Sequence, residues 1–164
     1  MKAYLSLGSN LGDRREFIRR GIAAVASFPD TAVVAESPWF ETAPRETGDQ
    51  PDFINLVLKI ETSLGPEALL EACLSAERAL GRRRGRDRGP REIDIDIVFY
   101  GTQVRTSPPI LPHPRYRARR FVLEPLQRLD PGLTDPVTGE AVGELLGEVS
   151  EQAVRELAGS GKGR

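Results

Sequence analysis

Asp94 and Asp96 stand two residues apart in a run, Glu92 to Tyr100, read as a strictly alternating strand on the polar and apolar order of its residues Glu92 to Ile97. A strand over that run presents both carboxylates on one face, with their Cα atoms about 7 Å apart. Ile93, Ile95 and Ile97 then point the other way into a core, and a slip of one residue would bury both acids. Two convergent carboxylates suit hard divalent cations. A pair of such ions ~3.5 to 4 Å apart serves an in-line displacement at phosphorus, one on the attacking oxygen and one on the leaving phosphate. Taken alone, Asp-x-Asp describes the polar face of any half-buried strand equally well.

The surroundings of the pair favour the chemical reading. Residues 78–120 hold twelve arginines and no lysine against Asp87, Glu92, Asp94 and Asp96, a local net of +8 in a chain whose total is −1, so the remainder carries about −9. A polyanion belongs near that region, although a solvated arginine face explains any one of these residues. The segment from Arg82 to Arg91 has no apolar residue to anchor it. It is expected to be a mobile loop whose guanidinium forks grip phosphate oxygens, with Gly81, Gly85 and Gly89 letting it close as a lid. His113, the single histidine, sits between Pro112 and Pro114 and ahead of Arg115. That rigid setting can present an imidazole to a phosphate or a leaving group. Phe53 and Asn55 share one strand face, where a ring and an amide can together hold a flat heterocycle. Trp39, Phe40, Phe53 and Phe121 taken singly are core candidates.

With one cysteine, Cys73, and one histidine, the chain cannot build a disulfide framework or a Cys/His zinc site by itself, so any metal must sit on oxygen ligands. Oxygen donors suit Mg²⁺ or Mn²⁺, which commonly arrive with phosphates. No apolar stretch approaches the ~18 residues of a membrane span, and no signal-peptide core follows Met1. A cytoplasmic protein is expected.

The elements that must position these residues follow from periodicity and punctuation. Lys2 to Leu7 predicts a first strand, and Gly8 to Asp13 a turn feeding a helix over Arg14 to Phe28, with Ile18, Ile22, Val25 and Ala26 as its apolar face. That turn lacks the Walker Lys-Ser/Thr and the full Gly-x-Gly-x-x-Gly pattern, so it is read as a helix start. Thr31 to Thr42 predicts a strand interrupted at Ser37-Pro38, and Phe53 to Thr62 another. Pro66 opens a helix with Leu69, Leu70, Cys73, Leu74 and Leu80 at helical spacing, closed by Gly81. After Tyr100, Gly101-Thr102 predicts a hairpin into Gln103 to Thr106, and Pro108 to Pro114 is irregular. Helices are expected over Arg119 to Leu129 and Glu144 to Leu157. At 164 residues, 39% apolar and 29% charged, one domain over 1–158 with a flexible tail over 159–164 is expected, without internal repeat or second core. Interspersed strands and helices with hairpin-like connections predict an α+β fold with a mixed, largely antiparallel sheet.

Four segments in order carry a resemblance across nearly the whole chain. They are Tyr4 to Asp13, Asp49 to Asn55, Gly89 to Ile97, and Pro112-His113-Pro114-Arg115 with Arg119 to Leu126. On these the sequence resembles the 6-hydroxymethyl-7,8-dihydropterin pyrophosphokinases of folate biosynthesis. The resemblance implies a ferredoxin-like α+β fold that binds ATP first, closes three loops and moves the β,γ-diphosphoryl unit onto the pterin hydroxymethyl oxygen, releasing AMP. It implies two Mg²⁺ ions bridged by Asp94 and Asp96, with Arg82 and Arg91 joining them in catalysis. Arg82, Arg84, Arg91, Ile97, His113 and Arg119 would serve ATP, and Thr42, Phe53, Asn55 and Phe121 the pterin, the two rings sandwiching it. Arg88 stands where many relatives carry an aromatic, and Pro108-Pro109-Ile110 where an arginine and a threonine are often found. Arg115, Arg117 or Arg119 can supply that contact.

Two other readings make different demands. Nucleotidyltransferases place a Gly-Ser turn roughly ten residues before their aspartates, whereas Gly8-Ser9 lies about 85 before Asp94. An RNA-binding module needs exposed aromatics on a positive sheet, where Asp94 and Asp96 would repel phosphate. The expectation is therefore a monomer acting on small molecules, with no nucleic-acid or membrane partner. No residue is singled out as general base. Asp96 can accept the hydroxyl proton, and a magnesium-bound hydroxyl can lose it without help.

Overall fold

The computed structural model describes residues 1–43, 51–81 and 92–158. Along them run β1 (Lys2–Ser9), α1 (Arg14–Ala26), β2 (Thr31–Glu36), β3 (Phe40–Thr42), β4 (Phe53–Thr62), α2 (Pro66–Ala79) and β5 (Asp94–Tyr100). A 3-10 turn (Tyr116–Ala118), α3 (Arg120–Leu129), α4 (Val142–Gly147) and β6 (Arg155–Glu156) follow. The strands form one sheet in the order β5-β1-β4-β3-β6, with β2 pairing another stretch of β4. All described pairings are antiparallel. This is the α+β class read from the sequence.

Both faces of the sheet are covered. Ala3, Leu5 and Leu7 of β1 and Ile54, Leu56, Leu58 and Ile60 of β4 face α1 and α2, meeting Ile18, Val25, Leu69 and Cys73. Tyr4, Val57, Val98 and Phe99 face the opposite way onto Val122, Leu123 and Leu126 of α3 and Val142 and Leu145 of α4. Each face of the one sheet thus carries its own buried cluster. Alternating strands that are apolar at one end of both faces need a helix layer on each side, and each fully buried aliphatic side chain contributes roughly 1.5 to 3 kcal/mol.

Helix starts follow the predicted signals. The Asp13 carboxylate accepts the Glu16 N–H at 3.1 Å, and Pro66 occupies the first turn of α2. The faces differ in detail from the periodicity. Ala26 and Leu74 are exposed, while Gly21, Ala76 and Glu77 turn inward. A Cβ on Gly21 would lie 3.1 Å from Ile93 Cδ1 and 3.2 Å from Leu7 Cδ2, so α1 crosses the sheet closely where that side chain is missing.

Three further expectations are corrected. The alternation of β5 is not strict, because its register against β1 shifts between Tyr4 and Leu5, whose partners are Phe99 and Ile97. The extra residue, Val98, puts Val98 and Phe99 together in the second cluster and returns Tyr100 to the first. Residues 103–106 do not pair back on β5 as a hairpin. Arg105 instead bridges to Leu111, closing a small loop on itself. The helix expected over Glu144 to Leu157 is only α4, since Gly147 is its sixth and last residue and Arg155–Glu156 leaves as a strand onto β3. The tail over 159–164 lies outside the described residues.

Candidate active site

On the α3 face, strand register lines up the polar residues. Gly8 pairs with Asp94 on one side and Asn55 on the other, and Asn55 pairs in turn with Phe40. One row of the sheet therefore reads Asp94, Gly8, Asn55, Phe40. Asp96 pairs with Ser6, one step along, and Phe53 pairs with Thr42. At ~4.8 Å per strand, the backbones of Asp94 and Asn55 are roughly 10 Å apart with only a hydrogen of Gly8 between them. A Cβ on Gly8 would stand 2.7 Å from Asn55 Oδ1 and 3.7 Å from a Phe53 ring carbon. The glycine keeps the floor open.

Asn55 is fixed within this row. It is 4% exposed, and its Nδ2 donates to Thr42 Oγ1 at 2.9 Å. The amide keeps a second donor hydrogen and acceptor capacity on Oδ1. Phe53 is half-buried at the head of β4, and Phe121 is half-buried at the head of α3 beside the second cluster. The Arg119 guanidinium lies 5.5 Å from the Phe121 ring centroid, at cation–π range. Two ties hold the segment before Phe53. Asn10 Nδ2 donates to the Pro51 carbonyl at 3.1 Å and Arg14 Nη1 to the Asp52 carbonyl at 2.8 Å.

Asp96 is half-buried and Asp94 is 9% exposed, so the pair lies on a partly covered face rather than the open polar face expected. Ile95 between them donates its N–H to Glu77 Oε2 of α2 at 2.7 Å. His113 meets β5 two residues past Asp96, donating its backbone N–H to the Val98 carbonyl at 2.9 Å. The Arg115 N–H donates to His113 Nδ1 at 3.1 Å, which leaves the ring proton on Nε2. Burial holds the imidazole below its ordinary range. The Asp96 carboxylate opposes this, while Arg119 and Arg115 add to it. Ile97 is buried in the first core, away from the acids. Arg82, Arg84 and Arg91, with the rest of the expected lid, lie outside the described residues, as do Asp49 and Gln50.

Residues 4–131 match the family model described as 7,8-dihydro-6-hydroxymethylpterin-pyrophosphokinase. The chain belongs to that family. It is 42% identical over 157 residues to the 2-amino-4-hydroxy-6-hydroxymethyldihydropteridine pyrophosphokinase of Methylorubrum extorquens, covering 95% of this chain and 98% of that one. It is also 42% identical over 154 residues to the folic acid synthesis protein fol1 of Schizosaccharomyces pombe, covering 93% of this chain and 21% of that longer protein. A crystal structure of an HPPK-DHPS in complex with substrates shares the fold at a TM-score of 0.69 and 13% identity, over 92% of this chain and 43% of that one.

As a pyrophosphokinase of folate biosynthesis, the chain is an ATP-using transferase. Sequence reasoning missed two residues of its site. Gly8 was read only as part of a turn, because its position beside Asp94, between that residue and Asn55, follows from strand pairing that no sequence displays. Glu77, 5% exposed, was overlooked on the face that also carries Leu69 and Cys73, where a lone carboxylate four residues past the cysteine was a usable signal. Among the described residues no helix is long and apolar enough to cross a membrane.

The depressed His113 pKa gives a pH expectation for this pyrophosphokinase. A histidine kept neutral by the fold binds its proton less readily folded than unfolded. Its contribution to stability is therefore full above ~6.5, the ordinary value, and is lost as pH falls through the folded pKa. The melting-temperature advantage of wild type over His113→Gln should shrink between pH 7.5 and pH 5. A constant difference across that range would mean that the imidazole does not titrate differently in the two states.

Proposed function

We propose that the chain transfers the β,γ-diphosphoryl unit of ATP to the hydroxymethyl oxygen of 6-hydroxymethyl-7,8-dihydropterin and releases AMP. The observation that carries this reading is the row Asp94, Gly8, Asn55 on one sheet face. It puts a heterocycle-reading amide and a metal-holding acid at the same level, two strands apart. Asn55 and Thr42 read the polar edge of the pterin while Phe53 and Phe121 take its two faces.

Asp94 and Asp96 provide oxygen donors only, and among the described residues no third His, Cys, Asp or Glu joins them. That set fits Mg²⁺, which takes one or two carboxylates and fills its remaining positions with phosphate oxygens and water. Two bound magnesium ions would polarise the phosphates and lower the pKa of the acceptor hydroxyl. The chain's own side chains supply the rest. His113 Nε2–H and Arg119 donate to the triphosphate, with Arg82, Arg84 and Arg91 gripping it from the lid, while Ile97, its side chain in the first core, would meet ATP only through its backbone. As the pterin oxygen attacks the β-phosphorus, its proton passes to Asp96 or to water, the bond from the β-phosphorus to the α,β-bridging oxygen breaks, and AMP leaves with that oxygen.

The same proposal holds that residues 1–158 act as one domain, as a monomer in the cytoplasm, on small molecules and without nucleic acid or membrane. Purified protein incubated with ATP, Mg²⁺ and 6-hydroxymethyl-7,8-dihydropterin should yield AMP and a pterin diphosphate in equal amounts, resolved by ion exchange. ADP as the matching product would instead indicate transfer of a single phosphoryl group. Turnover only with added RNA would favour a nucleic-acid reading.

A further inference from the structure

The family model ends at residue 131, yet the two walls of the pterin site are tied together by residues beyond it. Gln152 reaches α3 from the C-terminal segment. Its Oε1 accepts the Arg120 N–H at 3.0 Å, and its Nε2 donates to the Ala118 carbonyl at 2.8 Å. Arg120 returns the contact, its Nη1 donating to the carbonyls of Ser150 at 3.0 Å and Gln152 at 2.7 Å. These four bonds bracket Arg119 and stop one residue short of Phe121.

Three residues after Gln152 the same segment joins the other wall. Arg155 and Glu156 pair with Glu41 and Phe40 of β3, the Leu157 N–H donates to the Trp39 carbonyl at 2.8 Å, and Leu157 enters the first core. β3 ends at Thr42, the partner of Asn55. The segment thus spans from the strand that holds the amide to the helix start that holds Phe121 and Arg119.

The start of α3 needs such support. Its N-cap is Arg119, which makes no side-chain cap bond, so the first N–H groups lack the usual Ser, Thr, Asp or Asn acceptor. Pro125 lies inside the helix and cannot donate to the Phe121 carbonyl four residues back. Local hydrogen bonding at Phe121 is therefore thin on both sides, and the non-local amide of Gln152 supplies an acceptor to the first helical N–H.

We propose that residues 148–157 are a strap across the pterin site and that Gln152 is a positioning residue, setting Phe121 and Arg119 against Asn55 and Thr42. This rests on the assignment of Phe121 to the pterin. A ring placed before binding costs less order on binding, so loosening the strap should weaken the substrate complex without removing any group that touches it.

Gln152→Ala tests this beside Val25→Ala, which opens a cavity in α1 within the first core, on the face of the sheet opposite α3. Pterin affinity is measured by calorimetry with a non-hydrolysable ATP analogue and Mg²⁺. Amide exchange of residues 118–122 is measured relative to that of β1. Gln152→Ala should bind pterin about tenfold more weakly, the equivalent of one good hydrogen bond, and exchange faster at 118–122. Val25→Ala should lower the melting temperature and change neither readout. Wild-type affinity and exchange in Gln152→Ala would overturn the strap, as would an equal loss of affinity in Val25→Ala. A wild-type chain that binds no pterin would overturn the substrate assignment alone, and exchange at 118–122 would then decide whether the strap holds α3.

Discussion

Asp94→Asn and Asp96→Asn are each expected to lower the rate of AMP formation by roughly 10³-fold while leaving the chain folded, the scale seen when a charge-stabilising group at a phosphoryl site is removed. Folding should survive because the strand is held by other residues. Ile93, Ile95 and Ile97 are buried in the first core, and Glu77 retains the Ile95 N–H. Asparagine keeps the volume and much of the hydrogen bonding of aspartate but gives up the charge that a divalent cation needs. The loss should therefore lie mainly in kcat, and excess Mg²⁺ should recover only part of it. Turnover is followed by ion-exchange separation of AMP, with circular dichroism as the folding control. Either variant working at the wild-type rate would remove the pair from the proposed metal site.

Gly8→Ala should raise the KM for the pterin about 30-fold, near 2 kcal/mol, without touching the acids. The new methyl would lie 2.7 Å from Asn55 Oδ1, closer than non-bonded carbon and oxygen tolerate. Asn55 is not free to swing aside at no cost, since its Nδ2 is bonded to Thr42 in a buried setting. Relief comes from breaking that bond or shifting β1, which also carries Ser6 opposite Asp96. A destabilisation of about 1 to 3 kcal/mol is expected alongside, from overpacking. Asn55→Ala should weaken pterin binding comparably by a different route, leaving the Thr42 hydroxyl without its amide partner. If Gly8→Ala bound pterin as tightly as wild type, the amide would not be reading the ring.

How far the sequence revealed this site depended on how local each cause was. The Asp94 and Asp96 pair was legible because a two-residue period is a property of one strand, and the helix starts at Asp13 and Pro66 are likewise local. β4 was bounded by its own β-branched and apolar run from Phe53 to Thr62. The bulge at Val98 was not legible, since it exists only relative to the partner strand. The expected hairpin after Gly101 failed for a similar reason. The turn is present, but β5 is an edge strand whose outer side is met by Glu77 and His113, and 103–106 close instead on Leu111. The C-terminal helix was overextended because its apolar spacing at Val149 and Leu157 serves two different clusters. Residues brought together through the sheet, Asn55 with Thr42 across β3 and Gly8 between Asn55 and Asp94, could be grouped only by resemblance.

The contacts along β5 also bear on self-association. An exposed edge strand offers a row of unpaired N–H and carbonyl groups to any other extended chain, and a strand rich in isoleucine is a strong template for such growth. Lysines pointing across the sheet do not screen β5, because the residues on that face are Asp94 and Asp96, the pair proposed to hold metal. Its backbone is occupied instead. The Glu77 carboxylate takes the Ile95 N–H and the His113 N–H takes the Val98 carbonyl, so an incoming strand finds two of its anchor points already bonded. The edge of β5 thus resists fibril-like extension without any screening side chain.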